Sequence, residues 1–176
     1  AETTLNVASD PELLDLFRDA GCNTLIIGLE SISQATLDDM DKAINYCLTY
    51  QEGLQRIHDR GMSVVGNFIV GFDTDTRDVF RQTRDFIQET GILFPFFSIL
   101  NPMPGTALFD ETKAAGRLFH EDWQFYDTRH VVFEPAQMDR HQLMDGYIWL
   151  YEQCFSGDRV LARLEAQWKR QPPQAQ

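Results

Sequence analysis

The sequence predicts an α/β fold in which parallel strands alternate with helices. The units suffice for half of an eightfold barrel or most of an open sheet, and a mostly helical C-terminal extension comes after them. Three observations carry that expectation. Four short apolar runs rich in branched and aromatic side chains each precede a stretch with apolar residues at helical spacing, the alternation that right-handed crossovers turn into a parallel sheet. Gly21, Gly61, Gly91 and Gly116 fall where those helical stretches should stop. After Gly116 the alternation ceases and aromatic residues crowd a connecting segment. Pattern alone leaves barrel and open sheet as alternatives.

Taken in order, Thr3 to Val7 reads as the first strand. Asp10 is the expected N-cap of the helix behind it, with Pro11 at the first position and Leu13, Leu14, Phe17 and Ala20 on its apolar face. Thr24 to Leu29 is the second strand, and Ser31 or Ser33 is placed to cap a helix start after it. Cys47, Tyr50, Leu54 and Ile57 recur at helical spacing within a helix expected over residues 43–60. Met62 to Phe72 is the third strand, and Asp73, Thr74, Asp75 and Thr76 offer caps for a helix carrying Val79, Phe80, Thr83, Phe86 and Ile87. Phe94 to Leu100 is the fourth strand, broken by Asn101 to Thr106, and Leu108 and Phe109 open a short helix. Beyond it, Val131 to Phe133 has strand character. Leu143, Tyr147, Leu150, Tyr151 and Cys154 share one face of a helix over 139–155, and Val160, Leu161, Leu164 and Trp168 form the apolar face of a last helix. The expected units are therefore residues 1–116, an extension over 117–170, and a disordered Gln- and Pro-rich tail over 171–176.

Hydrophobic residues make up 43% and charged residues 24%, a balance that supports a packed core. Lys and Arg number 15 against 27 Asp and Glu, and the net charge of −12 disfavours a nucleic-acid partner. No apolar run approaches the ~20 residues that span a bilayer, and no basic and apolar leader opens the chain. No transmembrane segment and a cytoplasmic location are expected. Cys22, Cys47 and Cys154 are odd in number and far apart, which fits neither a disulfide framework nor a paired metal site. His58, His120, His130 and His141 lack metal-ligand spacing.

Ligands of parallel α/β proteins bind beyond the C-terminal ends of the strands, where loops converge and helix N-termini present free N–H groups. Those ends carry Glu30 and Ser31, Gly71 with Asp73 and Asp75, and Asn101 to Thr106, with Lys42 just beyond the first. Singly, each has an ordinary use: hydroxyls and carboxylates as caps, Lys42 as a solvated helix cation, glycines as turns. Functional meaning comes only from their joint spacing.

That spacing resembles the second half of a radical S-adenosylmethionine (SAM) barrel, a TIM-like fold, from Glu2 to about Thr106. Gly28-Leu29-Glu30-Ser31 with Lys42 is similar to its fourth-strand region, which meets the ribose and the methionyl carboxylate. Gly66-Asn67-Phe68-Ile69-Val70-Gly71 is similar to its fifth-strand motif, whose backbone approaches the adenine while a polar residue at the Asn67 position reaches the ribose. Pro102-Met103-Pro104-Gly105-Thr106 is similar to the sixth-strand turn over the adenine, and Glu2 corresponds to an acidic contact. The resemblance implies SAM as cofactor, bound by Glu2, Glu30, Ser31, Lys42, Asn67, Ile69, Gly71, Asn101, Pro102 and Met103. The chemistry suits it: an ammonium for a carboxylate, acceptors for ribose hydroxyls, and glycine where a base nears the backbone. Downstream, Gly116-Arg117-Leu118, Trp123, Tyr126-Asp127, His130-Val131-Val132-Phe133 and Pro135 resemble the C-terminal extension of cobalamin-binding radical SAM proteins, a group that includes hopanoid methylases.

The family's CxxxCxxC motif, which holds a [4Fe–4S] cluster, does not occur in this sequence. The expectation is a C-terminal piece of a longer enzyme. The parent contributes the first barrel half, the [4Fe–4S] cluster and a cobalamin domain. It cleaves SAM to a 5′-deoxyadenosyl radical and methylates an unactivated carbon of a small-molecule substrate, while the piece alone is inactive and supplies no catalytic residue or metal ligand. Strand edges at Thr3 to Val7 and Phe94 to Leu100 are expected to self-associate or to be covered by the C-terminal helices. Other readings stand beside this one: another radical SAM enzyme such as a methylthiotransferase, or a non-catalytic α/β binding domain. A third is an unrelated barrel enzyme in which Glu30 works with Asp73 or Asp75 as an acid–base pair, marked by a strongly raised carboxyl pKa.

Overall fold

The computed structural model describes residues 1–33, 36 and 49–170. Four parallel strands form one sheet in sequence order: β1 (Glu2–Thr3), β2 (Thr24–Glu30), β3 (Ser63–Val70) and β4 (Phe94–Ile99). Six helices accompany them among the described residues: α1 (Pro11–Asp19), α2 (Tyr50–His58), α3 (Asp78–Thr90), α4 (Ala107–Ala114), α5 (Arg140–Cys154) and α6 (Gly157–Arg170). This is the α/β architecture of a partial barrel, followed by a mostly helical segment. No helix among the described residues is long and apolar enough to cross a membrane. The tail expected over 171–176 lies outside the described residues.

Local chemistry sets the element ends. Asp10 accepts the Leu13 N–H and Pro11 opens α1. Thr49 and Glu52 form a capping box, so α2 starts at Tyr50; Thr49 is extended (φ −61°, ψ 148°), and residues 43–48 lie outside the described ones. Gly91, at φ +69°, ends α3, but Arg77 precedes that helix without a side-chain cap, so Asp73 to Thr76 do not cap it.

Two expected strands change. β1 has two residues, and Leu5–Ser9 winds into a 3-10 helix in which Leu5, Val7 and Ala8 are buried. Leu5 lies 3.0 Å from the Cβ position of Gly53 on α2, and this close burial against α2 overrides the β-branched character of the run. Val131 to Phe133 contributes a single antiparallel bridge, Leu118 to Phe133.

The helices cover one face of the sheet. Leu25, Ile27 and Leu29 of β2, Val64, Phe68 and Val70 of β3, and Phe97 and Ile99 of β4 are buried with Leu14, Leu54, Ile57, Ile87 and Leu143. Alternate residues on the other face stay accessible, Ile26 and Phe94 at 37% and Phe96 at 57%. Parallel sheets are ordinarily buried on both faces, so this uncovered face has the character of a barrel lining.

The segment after α4 covers the outer edge of β4. The Tyr151 hydroxyl donates to Phe97 O (3.2 Å) and accepts the Phe97 N–H (3.4 Å), and the Ile99 N–H donates to Thr128 O (2.7 Å). Pro95 has no N–H to offer. At the other end of the sheet, α6 turns its polar face inward: Arg163 Nε donates to Leu93 O (2.9 Å) and Gln167 Nε2 to Gly61 O (3.2 Å). Leu161, Leu164 and Trp168, expected to pack inward, are exposed instead. Buried loop carbonyls require donors, and this demand orients α6.

Candidate functional site

Strand register places three expected site residues, Glu2, Asn67 and Ile69, on the uncovered face. Glu2 pairs with Ile26, which pairs with Val65. Farther along, Gly28 pairs with Asn67 and Asn67 with Phe96, while Ile69 pairs with Ser98. Glu30 comes opposite Phe68 because the ladder slips between Gly28 and Glu30. Its φ is +62°, and the Ser31 N–H returns to Leu29 O at 2.8 Å in a three-residue turn about Glu30. This backbone state, uncommon outside glycine, brings the Glu30 side chain back over Gly28: a Cβ on Gly28 would lie 2.6 Å from Glu30 Oε1. The Gly-x-Glu spacing has a steric reason. Glycine vacates the volume the carboxylate fills, beside the strand that carries Asn67.

The other expected residues divide. Ser31 is buried, and its hydroxyl accepts the Ser33 N–H (3.0 Å), holding the turn after β2. Lys42 lies outside the described residues. Gly71 donates its N–H to Asp75 Oδ2 (2.9 Å); its φ of +104° demands the glycine, and a Cβ there would also crowd the Leu143 side chain of α5 at 2.9 Å. Beyond β4, both polar atoms of the Asn101 amide are buried without a hydrogen-bond partner among the described residues. An unmatched buried amide costs about 1–3 kcal/mol, which a ligand would recover. Pro102 is buried and Met103 exposed. Thr106 accepts the Phe109 N–H and donates to Met103 O, which makes the proline-rich turn the N-cap of α4.

Two aspartates take roles that spacing did not foretell. Asp75 is buried; its Oδ2 accepts the N–H groups of Gly71 (2.9 Å) and Phe72 (3.1 Å), and its Oδ1 the Thr36 hydroxyl (3.4 Å). Burial pushes its carboxyl up to about 6 against the pull of those donors. Such a shift is the sign expected of an acid–base carboxylate, yet both oxygens are engaged and the side chain is sealed from substrate. Asp75 staples a turn. Asp73 makes a two-bond pair with the Arg117 guanidinium (2.7 and 2.8 Å), which ties the loop after β3 to the segment after α4.

Among the described residues no three His, Cys, Asp or Glu side chains are grouped to hold a metal ion. Cys22 and Cys154 are free, and burial pushes the Cys154 thiol up; Cys47 lies outside the described residues. Cluster ligation takes several thiolates, so the described thiols do not fit a [4Fe–4S] cluster.

A family model, the Radical SAM superfamily, matches residues 2–87, from β1 into α3, a span that holds Glu30 and Asn67. This segment belongs to the radical SAM superfamily. Three relatives extend the likeness beyond the matched segment. The chain is 35% identical over 165 residues to Bacteriochlorophyllide d C-12(1)-methyltransferase of Chlorobaculum tepidum, covering 94% of this chain and 36% of that protein. It is 29% identical over 153 residues to Bacteriochlorophyllide d C-8(2)-methyltransferase of the same organism, covering 84% and 34%. With Hopanoid C-2 methylase of Rhodopseudomonas palustris it shares 36% identity over 121 residues, covering 69% and 23%. The chain thus spans about a third or less of the length of these relatives. Radical SAM chemistry rests on SAM and a [4Fe–4S] cluster; the uncovered face carries Glu2, Asn67 and the returned Glu30 side chain, groups that can accept hydrogen bonds.

Proposed function

We propose that this chain is the SAM-binding second half of the barrel of a radical SAM enzyme that methylates a small molecule in the cytoplasm. In this reading residues 1–116 form the barrel half and 117–170 its extension. The observation that carries it is Glu30 folded over Gly28 beside Asn67, on a sheet face that no helix among the described residues covers, inside the matched segment. Glu2, Glu30 and Asn67 would take the ribose side of SAM, Ile69 and Gly71 the base, and Asn101, Pro102 and Met103 the turn across it, with Ser31 and Lys42 toward the methionyl end. Bound SAM supplies the 5′-deoxyadenosyl radical, while this chain's side chains bind and orient it. The rest of the parent protein would contribute the [4Fe–4S] cluster and cobalamin as methyl carrier. The isolated chain is silent in this reading because its described thiols do not fit a cluster. Two of the three relatives are named for bacteriochlorophyllide d, so we carry over a metallo-tetrapyrrole as the substrate class.

The test is a calorimetric SAM titration of the anaerobically reconstituted full-length parent. Asn67→Leu and Glu30→Gln are each expected to raise the SAM Kd about tenfold, the worth of one hydrogen bond to a ribose hydroxyl. Glu165→Gln, on the exposed side of α6, leaves it unchanged. A Kd unmoved in both site variants sinks the assignment.

A further inference from the structure

We propose that a cavity beside α5 seats a metal-centred tetrapyrrole bearing a carboxylate arm, with His130 as axial nitrogen ligand and Arg140 as the carboxylate's partner. The inference rests on the substrate class above and adds the place where that ring sits. His120, His130 and His141, far apart in sequence, line one cavity of about 310 Å³ with Phe119, Phe125 and Arg140. The aromatic wall is continuous: His120 lies 5.8 Å from Phe119 and 4.5 Å from Phe125, and Phe125 lies 5.3 Å from His130, between ring centroids. It ends at a cation, since the Arg140 guanidinium carbon sits 4.7 Å from the Phe119 ring centre. These rings are tilted by 54°, 47° and 70° to their neighbours, so a planar conjugated ligand stacks on one of them while its edge meets the next.

The imidazole of His130 is oriented from behind. Asp127 Oδ1 meets His130 Nδ1 at 3.0 Å and also accepts the N–H groups of Arg129 and His130. The bond from His130 holds the Asp127 carboxyl below its usual range. A carboxylate only accepts, so Nδ1 carries the proton, and in the neutral ring Nε2 keeps the lone pair. A carboxylate behind the far nitrogen is how metal-binding imidazoles are commonly fixed. Among the described residues no three-donor group would hold a bare ion. A metal at His130 must therefore bring its own equatorial ligands, as a macrocycle does, leaving the protein one axial position. Arg140 is poorly matched internally, its Nε 4.0 Å from Glu134 Oε2, so its fork remains for a planar carboxylate. The cavity is too small to enclose a whole macrocycle. The ring lies across its mouth, above His130, whose side chain is 50% exposed.

The experiment is an absorbance titration of the 176-residue chain with zinc protoporphyrin IX, its dimethyl ester, metal-free protoporphyrin IX and hydroxocobalamin. No SAM, cluster or turnover enters, so its failure leaves the radical SAM reading untouched, and the converse holds. Zinc protoporphyrin is expected to bind with the red-shifted main band of axial nitrogen ligation. His130→Gln removes the shift, and the metal-free ring gives none. Arg140→Met and the dimethyl ester each weaken binding about tenfold and do not compound, because both delete one charge-assisted pair. An unchanged shift in His130→Gln overturns the proposal. So does binding abolished by Phe96→Ser, which would put the ring on the uncovered sheet face, and so does equally tight binding of hydroxocobalamin, whose periphery carries amides.

Discussion

Gly28 and Glu30 share one volume, and the same economy recurs at Gly71, where the Cβ position belongs to Leu143. Asp75 shows how far a residue's role depends on what seals it. Its carboxyl titrates near 6 in the fold, against about 3.9 for an unperturbed aspartate. A raised folded value means the ionised form is disfavoured in the native state. The stability linked to Asp75 is therefore fully present below about pH 4 and is lost as pH rises through 6, by up to about 3 kcal/mol. Asp75→Asn removes that dependence. Urea unfolding from pH 4 to 7 is expected to show the wild-type chain losing stability relative to the variant across this window. Curves that stay parallel would show that the Gly71 and Phe72 N–H groups compensate burial in full. Spacing alone marked Asp75 as a cap or an acid–base group; its buried contacts make it a loop staple.

At the scale of elements, periodicity located the strands and helices well and read their partners less well. The face of α5 carrying Leu143, Tyr147, Leu150 and Cys154 is buried as its spacing implied. On α6 the polar face is buried, because Arg163 and Gln167 answer the carbonyls of Leu93 and Gly61. The edge of β4 was expected to pair or be covered, and Tyr151, Thr128 and the missing N–H of Pro95 cover it. Tyr151→Phe keeps the ring and deletes the hydroxyl that serves both Phe97 groups. It is expected to cost about 1 kcal/mol and to speed amide exchange at Phe97. Exchange at Phe97 as slow as in the wild type would show that the hydroxyl does not guard the edge.

For the molecule as a whole, the uncovered sheet face decides behaviour. Ile26, Phe94 and Phe96 form an apolar strip that water meets directly, and contiguous apolar surface of this kind drives association. Sedimentation of the isolated chain is expected to show concentration-dependent self-association that Phe96→Ser reduces. A wild-type chain that stays monomeric as concentration rises would refute this. The sequence by itself determined the strand-helix alternation, most element boundaries and the motif spacing through Gly28, Glu30, Asn67 and Asn101, because these arise from local periodicity, caps and glycine geometry. Only the tertiary structure decided that Leu5 to Ser9 would coil against α2, that Asp73 would reach Arg117, that α6 would turn its apolar side outward and that three histidines would meet in one cavity. Those outcomes depend on which buried donors and volumes are left unmatched once distant segments pack, and no short-range pattern carries that information.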